Sequence, residues 1–284
     1  MKNMKHLLFA ACITLSMQLF AQEAFISPKL QKVWETPEGL NTPESSLYNP
    51  GDNFIYVANI GSGNDVKDGN GYISKLNTKG EFVEKQWVSG LNGPKGMGIV
   101  KNKLYVTDND EVVEIDLKTA KILKKFKTSI ARRLNDIATD KEGKIYVTDE
   151  QKHFVMIVGK DSLEVFVASD QLSKMNGVCD FGKEIILGSM GNMVAIDKAT
   201  KAIRILVENV GFTDGIILVG PNKIITSDWR GKVQLVEPGK PIEILLNTSP
   251  IKINAADLGF IPSQNLLLVP TFNSNKVMAY KLSL

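Results

Sequence analysis

A short pattern recurs six times along this chain and restricts the fold more than any other feature. Each copy has one residue, here called the entrance residue, followed 10 to 12 positions later by the centre of an apolar triplet such as Ile-Tyr-Val. The six entrance residues are Glu44, Lys95, Asn135, Asn176, Asp214 and Ala256. Successive entrance residues are 51, 40, 41, 38 and 42 positions apart. A repeat of about 40 residues made of short strands is typical of a β-propeller.

The predicted fold class is therefore all-β, a six-bladed β-propeller with four antiparallel strands in each blade. Only 28 residues follow Ala256, which is short for four strands. The segment from Lys29 to Glu35 precedes the first entrance residue and resembles the outermost strand that precedes the second. We expect this N-terminal strand to complete the last blade, because closing the ring leaves no sheet edge open.

The N-terminus has the pattern of an export signal. Lys2 and Lys5 precede an apolar run that is too short for a permanent membrane span, and the small residue Ala21 ends it. We expect residues 1–21 to be a signal peptide and 22–284 to be a single propeller domain, periplasmic or secreted. Cys179 would then be the remaining cysteine, a buried thiol on an inner strand with no disulfide partner.

The composition argues against several classes of partner. The net charge is +3, and acidic and basic residues are interspersed rather than arranged in a basic stripe. We therefore expect no nucleic-acid partner. No second long apolar segment follows the signal, so no membrane span is expected either. We expect a monomer.

The entrance residues are the candidate functional group. Equivalent ends of the innermost strands converge on one mouth of a propeller channel, so these six side chains should form a ring. Glu44, Asn135, Asn176 and Asp214 bring two carboxylates and two amides, an all-oxygen set that suits a hard cation such as Ca²⁺, Mg²⁺ or Mn²⁺. The alternative is that these residues only cap turns at strand starts, as acids and amides often do.

Four segments resemble those of a known family. Pro43-Glu44-Ser45-Ser46-Leu47-Tyr48, Arg133-Leu134-Asn135-Asp136, Asn176-Gly177 and Asp214-Gly215 are similar to the metal-site segments of the gluconolactonase, regucalcin (senescence marker protein) and LRE-like family of six-bladed propellers. The resemblance covers essentially the whole mature chain. It implies one divalent cation held by Glu44, Asn135, Asn176 and Asp214, with Ca²⁺ expected first and Zn²⁺, Mg²⁺ or Mn²⁺ as alternatives. It also implies hydrolysis of a sugar lactone or related small ester.

The roles that follow are compatible with the residue types. Asp214 is the expected general base, and Arg133 matches a family arginine that contacts substrate. The ends of the second strands should reach the same mouth one layer outward, where they would form either a substrate wall or loop packing. Trp229, which follows one of these ends, is the expected apolar contact for substrate.

Lys95 departs from the family, whose members carry a small or neutral residue at this ring position. Its ammonium would lean outward, bind an acidic substrate, or replace the cation by pairing with the carboxylates. Two hypotheses therefore stand. The chain is an exported metal-dependent hydrolase of the gluconolactonase type, or a non-catalytic propeller that binds a ligand or partner protein at the channel mouth.

Overall fold

A computed structural model describes residues 23–63 and 66–284, and the expected signal peptide lies outside this part of the chain. These residues form six antiparallel sheets. The innermost strands are neighbours around a common axis, and the last meets the first where the Asp257 N–H donates to the Glu44 carbonyl at 2.9 Å. The predicted six-bladed propeller is confirmed.

Blades 1 to 3 follow the chain order from the inside outward. Blade 1 contains β3 (Pro43–Asn49), β4 (Phe54–Asn59), β5 (Gly71–Leu76) and β6 (Phe82–Leu91). Blade 2 contains β7 (Pro94–Val100), β8 (Lys103–Asp108), β9 (Glu111–Asp116) and β10 (Ile122–Lys127). Blade 3 contains β11 (Leu134–Thr139), β12 (Ile145–Asp149), β13 (Phe154–Val158) and β14 (Leu163–Ala168).

Blades 4 to 6 add two strands from the N-terminal segment. Blade 4 contains β15 (Val178–Phe181), β16 (Glu184–Ser189), β17 (Asn192–Asp197) and β18 (Ile203–Val207). Blade 5 contains β19 (Thr213–Gly220), β20 (Lys223–Asp228), β21 (Lys232–Val236), β22 (Glu243–Asn247) and the short β1 (Phe25–Ile26). Blade 6 contains β23 (Gly259–Ile261), β24 (Leu266–Pro270), β25 (Val277–Leu282) and β2 (Leu30–Glu35).

The N-terminal segment closes the ring as expected, because β2 pairs with β25 from Leu30 opposite Leu282 to Glu35 opposite Met278. The sequence did not indicate β1, a fifth strand that pairs Phe25 with Asn247 on blade 5. Within the described part of the chain, the helices are three short 3-10 turns, and none is long and apolar enough to cross a bilayer.

The apolar triplets have a simple physical reason. Every blade lies between two others, and side chains alternate along a strand, so both faces of the second strand are buried. In β4, Ile55 and Val57 pack with Leu268 of blade 6, whereas Tyr56 packs with Leu104 of blade 2. A strand that is covered on both faces needs consecutive apolar residues, and this is what the triplets supply.

Hydroxyl groups fix the entrance residues of neighbouring blades. The strand pairing is irregular beside the entrance residues of blades 3 and 5, which leaves backbone groups without ladder partners. Thr107 and Thr148 of blades 2 and 3 donate to the carbonyls of Asn135 and Asn176, at 2.6 and 2.7 Å. Ser227 makes the equivalent bond to Ala256 at 2.7 Å. Each bond ties a second strand to the next blade.

Replacing Thr148 by valine should therefore destabilise the fold by about 1–3 kcal/mol, because it leaves the buried Asn176 carbonyl and Asp136 N–H without this partner. Urea unfolding at 25 °C measures the change. Thr128→Val is the control, because Thr128 is only half-buried and lies on the connection between blades 2 and 3. Equal unfolding midpoints for the two variants would contradict the assigned role.

Candidate functional site

Five of the six entrance side chains line one cavity of about 270 Å³. These are Glu44, Lys95, Asn135, Asn176 and Asp214, and the cavity is completed by Arg133, Glu150, Trp229 and Phe272. The sixth, Ala256, is buried beneath it against Ile60 and Phe272. All seven residues predicted for cation binding, catalysis or substrate contact thus lie around one space, and their roles stay predictions.

Glycines after the entrance residues allow the inner strands to come close beside this cavity. A Cβ on Gly177 would lie 2.2 Å from the Asp214 carbonyl oxygen, and a Cβ on Gly215 would lie 2.4 Å from the Leu258 nitrogen. Both are closer than any side chain tolerates. The missing side chains let blades 4, 5 and 6 converge, which brings Asn176 and Asp214 together at the mouth.

The four predicted cation ligands each present one oxygen without a hydrogen-bond partner. Glu44 Oε2, Asn135 Oδ1, Asn176 Oδ1 and Asp214 Oδ1 are all buried and unpartnered. A buried acceptor without a partner costs about 1–3 kcal/mol, so such groups are rare in folded proteins. Four of them on one cavity fit a bound cation and do not fit turn capping.

Neighbouring groups orient the two amides. The Asn135 Nδ2 donates to Glu150 Oε2 at 2.9 Å, and the Asn176 side chain donates to Asp214. Each amide uses its nitrogen in this way and keeps its oxygen available. In the described ranges no three His, Cys, Asp or Glu side chains are grouped as a metal site, so a cation here would depend on the amide oxygens.

The carboxyl groups of the ring are costly to ionise. Burial raises the pKa of Glu44 well above its usual value, and the nearby Asp214 and Asp136 raise it further. Burial also raises the pKa of Asp214 to about 7, although Lys95 opposes the change. A divalent cation between these two acids would offset both the burial and their mutual repulsion.

A second cavity of about 220 Å³ lies on the inner strands and contains Asp136 and Asp257. The Asp136 carboxyl is hydrogen-bonded to Asp257 of blade 6. Burial raises the pKa of both acids, and the nearby charge of Asp257 raises the pKa of Asp136 further.

Lys95 is buried, with only 3% of its surface exposed, and lines the central cavity. The prediction that it leans outward is therefore wrong. Its Nζ lies 3.7 Å from Glu150 Oε2, and among the described residues no other carboxylate is within ion-pair distance. Lys95 therefore pairs with Glu150 and does not form a close ion pair with Glu44 or Asp214.

Glu150 is the site residue that the sequence analysis missed. One of its oxygens accepts from Asn135, and the other lies 3.4 Å from Arg133 Nη1. The available signal was its position directly after Asp149, the end of β12. Its three partners are Lys95 of blade 2 and Arg133 and Asn135 of blade 3. Only the assembled ring shows that all three contact Glu150.

An aromatic pair forms the opposite wall of the cavity. The Trp229 and Phe272 rings are 5.4 Å apart at an interplanar angle of 76°, an edge-to-face contact. The Trp229 carbonyl also accepts from Asn254 Nδ2 at 2.9 Å. Trp229 is thus held from two sides and presents a fixed apolar surface to the mouth.

In blades 1 to 3 the side chain at the end of the second strand holds a loop, whereas Trp229 and Phe272, next to the second-strand ends of blades 5 and 6, line the central cavity. Asn59 Oδ1 accepts from the Asn41 N–H at 3.0 Å, and Asp149 Oδ2 accepts from the Arg132 N–H at 2.8 Å. Asp108 accepts from Gly93 at 2.7 Å. These three side chains are fully buried and hold the loops that lead to the entrance residues.

Cys179 and His153 could in principle serve as a nucleophile and a histidine base, but neither lines the central cavity. Burial raises the pKa of Cys179 to about 12, so its sulfur stays a thiol. It lies on the inner-strand cavity, below the mouth. His153 is exposed on blade 3 and does not line the central cavity.

No family model and no curated protein sequence matches this chain. Solved structures of similar fold include a catalytically inactive histidine-to-alanine variant of virginiamycin B lyase from Staphylococcus aureus with quinupristin. It is 11% identical over 92% of this chain and 100% of that one, with a TM-score of 0.61. A streptogramin B lyase structure is 12% identical over 89% and 97%, with a TM-score of 0.62. At such identities the likeness shows the propeller fold alone.

Proposed function

We propose that this protein is a metal-dependent hydrolase of the gluconolactonase type, acting on a lactone or related small ester. The observation that carries the proposal is the convergence of four buried, unpartnered oxygens on one cavity, from Glu44, Asn135, Asn176 and Asp214. Their chemistry, two carboxylates and two amides, suits Ca²⁺ best among common divalent ions. Export, and with it a periplasmic or secreted location, is part of the proposal.

A divalent cation held by these four residues would polarise the substrate carbonyl and lower the pKa of a bound water. The chain's own residues would do the rest. Asp214 lines the same cavity and would accept the proton of the attacking water. Arg133 and Lys95 line the same cavity and would orient the acyl and hydroxyl oxygens of the substrate, with Trp229 covering its apolar face.

The charges around the cavity favour cation binding over replacement by Lys95. Glu44 and Asp214 together carry two negative charges when ionised and would neutralise one divalent ion. Lys95 Nζ lies 3.7 Å from Glu150, a carboxylate that it shares with Arg133. If Lys95 substituted for a cation, its ammonium would have to satisfy the free oxygens of Glu44 and Asp214, and both remain unpartnered.

The alternative is a non-catalytic propeller that binds a ligand at the same mouth, since this fold serves many functions. The lyase activity of the structural neighbours is not proposed for this chain. The solved variant of virginiamycin B lyase is inactive with a histidine replaced by alanine, whereas among residues 23–63 and 66–284 no histidine lines the central cavity here.

Chelation and reconstitution test the proposal. The purified protein is treated with EDTA, dialysed, and assayed with Ca²⁺, Mg²⁺, Mn²⁺ or Zn²⁺ against sugar lactones, acyl-homoserine lactones and aromatic lactones. We expect hydrolysis to fall at least hundredfold on chelation and to return with Ca²⁺ or one of the other ions. A protein that binds no divalent cation by calorimetry would support the non-catalytic alternative.

A further inference from the structure

A second depression opens from one side of the central cavity. This side groove, of about 280 Å³, is lined by Lys174, Met175, Phe212 and Thr213. It shares Glu150, Asn176, Asp214 and Trp229 with the central cavity. The two spaces are therefore adjoining parts of one mouth, which is larger than a single lactone ring requires.

The hairpin of blade 5 forms the aromatic part of the side groove. Phe212 directly precedes β19 and Trp229 directly follows β20, and the pairing of Thr213 with Asp228 places these two positions across from each other. Phe212 is 49% exposed and Trp229 is 42% exposed. Two large aromatic side chains that face solvent in the same depression mark a surface that another apolar group covers.

Apart from Glu150, Asn176 and Asp214, which it shares with the central cavity, the side groove has two polar side chains, Lys174 and Thr213. Lys174 Nζ lies 5.8 Å from the centre of the Phe212 ring. Thr213 is 4% exposed, and its Oγ1 has no hydrogen-bond partner among the described residues. A sugar would need several matched donors and acceptors for its hydroxyls. A flat ring with one anionic substituent needs only aromatic faces and one cation.

We propose that the side groove binds a planar aromatic ring of the substrate, with an anionic substituent directed toward Lys174. Resting on the proposed function, this makes the substrate a lactone or ester that carries an aryl group, rather than a bare sugar lactone. The scissile carbonyl lies at the entrance residues, and the ring lies between Phe212 and Trp229.

Equilibrium binding of 2-naphthoate tests the groove without any need for turnover. The probe is titrated into the full protein and followed by calorimetry, with and without EDTA. We expect Phe212→Ala to weaken binding about tenfold through loss of ring stacking. Lys174→Ala should weaken naphthoate binding about threefold, because an ion pair between Lys174 and the probe's carboxylate would be exposed to solvent.

Two comparisons separate the groove from general effects. Ile205→Ala removes a similarly exposed apolar side chain from the outer strand of blade 4 and should leave the affinity unchanged. The neutral 2-naphthamide should lose affinity in Phe212→Ala and not in Lys174→Ala. Naphthoate binding that is equal in wild type, Phe212→Ala and Lys174→Ala overturns the proposal.

The hydrolase and the groove can fail separately. If the protein hydrolyses esters, the ratio of kcat/KM for 2-naphthyl acetate to that for methyl acetate should fall about tenfold in Phe212→Ala. Naphthoate binding that depends on Phe212, in a protein that hydrolyses nothing, would sustain the groove and reject the hydrolase. Hydrolysis with an unchanged ratio of kcat/KM values would sustain the hydrolase and reject the groove.

Discussion

Asp214→Asn should lower kcat for lactone hydrolysis between a hundredfold and ten-thousandfold while the protein remains folded. Asparagine keeps an oxygen near the cation position and loses the group that accepts a proton, so catalysis should suffer more than cation binding. Asp214→Ala removes both the oxygen and the base. Steady-state kinetics and calcium titration of the two variants separate the ligand role of Asp214 from its role as base.

The same substitution should also change stability in an uncommon direction. Asp214 is 2% exposed, its Oδ1 has no partner, and its carboxylate lies near Glu44. Removing an uncompensated buried charge relieves repulsion, so the cation-free Asp214→Asn protein should melt at or above the wild-type temperature. The rise in Tm caused by Ca²⁺ should shrink. The exposed Asp170→Asn serves as control, and turnover retained in Asp214→Asn would remove Asp214 as the base.

The second large effect is on the pH dependence of stability. In protein stripped of divalent cations, unfolding free energy should increase by a few kcal/mol as the pH falls from 8 to 5. Glu44, Asp136, Asp214 and Asp257 all have pKa values raised by burial, and the pKa of Asp214 is raised to about 7. Between pH of about 4 and 7 the folded protein thus holds more protons than the unfolded chain.

That difference gives the sign of the effect. The contribution of these acids to stability is complete below the pKa of an unfolded carboxyl, about 4, and is lost as the pH rises through their folded values. Acids that pair with basic groups, such as Glu35 and Glu111, have lowered pKa values. Their protonation destabilises the fold only at more acidic pH. Stability should therefore be greatest near pH 4 to 5.

Thermal melts in EDTA at pH 5, 6, 7 and 8 measure this dependence. The slope should flatten in Asp214→Asn, which lacks the carboxyl whose pKa burial raises to about 7. It should also flatten on addition of Ca²⁺, because a bound cation keeps the ring carboxylates ionised and compensated. A cation-free protein that becomes steadily less stable from pH 8 to 5 would show that these carboxyls are not protonated together.

The fold could be predicted from the sequence because the same short pattern recurs in each of the six blades. Each Ile-Tyr-Val-type triplet is buried on both faces between neighbouring blades, so it leaves a continuous apolar run at a regular interval. The closing strand at Leu30–Glu35 was predictable from the short C-terminal blade. The two-residue strand at Phe25–Ile26 was not, because its backbone bonds to blade 5 leave no pattern in two exposed side chains.

The candidate site also has residues that the repeat predicts and residues that it does not predict. Glu44, Asn135, Asn176 and Asp214 occupy equivalent places in successive repeats, so their convergence followed from symmetry. Glu150 does not repeat, and its contacts with Lys95, Arg133 and Asn135 depend on how blade 3 approaches blade 2. For the second-strand ends the sequence left a substrate wall and loop packing open, because polarity alone does not distinguish a ligand from a loop cap.

The amino-acid sequence by itself determined the number of blades, the order of their strands and the identity of the ring, since these depend on spacing along the chain. Only the tertiary structure decided which ring oxygens remain free, that Lys95 is balanced by Glu150, and that Asp136 meets Asp257 across the channel. These features join residues of different blades. Their charges and hydrogen bonds depend on distances in space, which no interval in the sequence records.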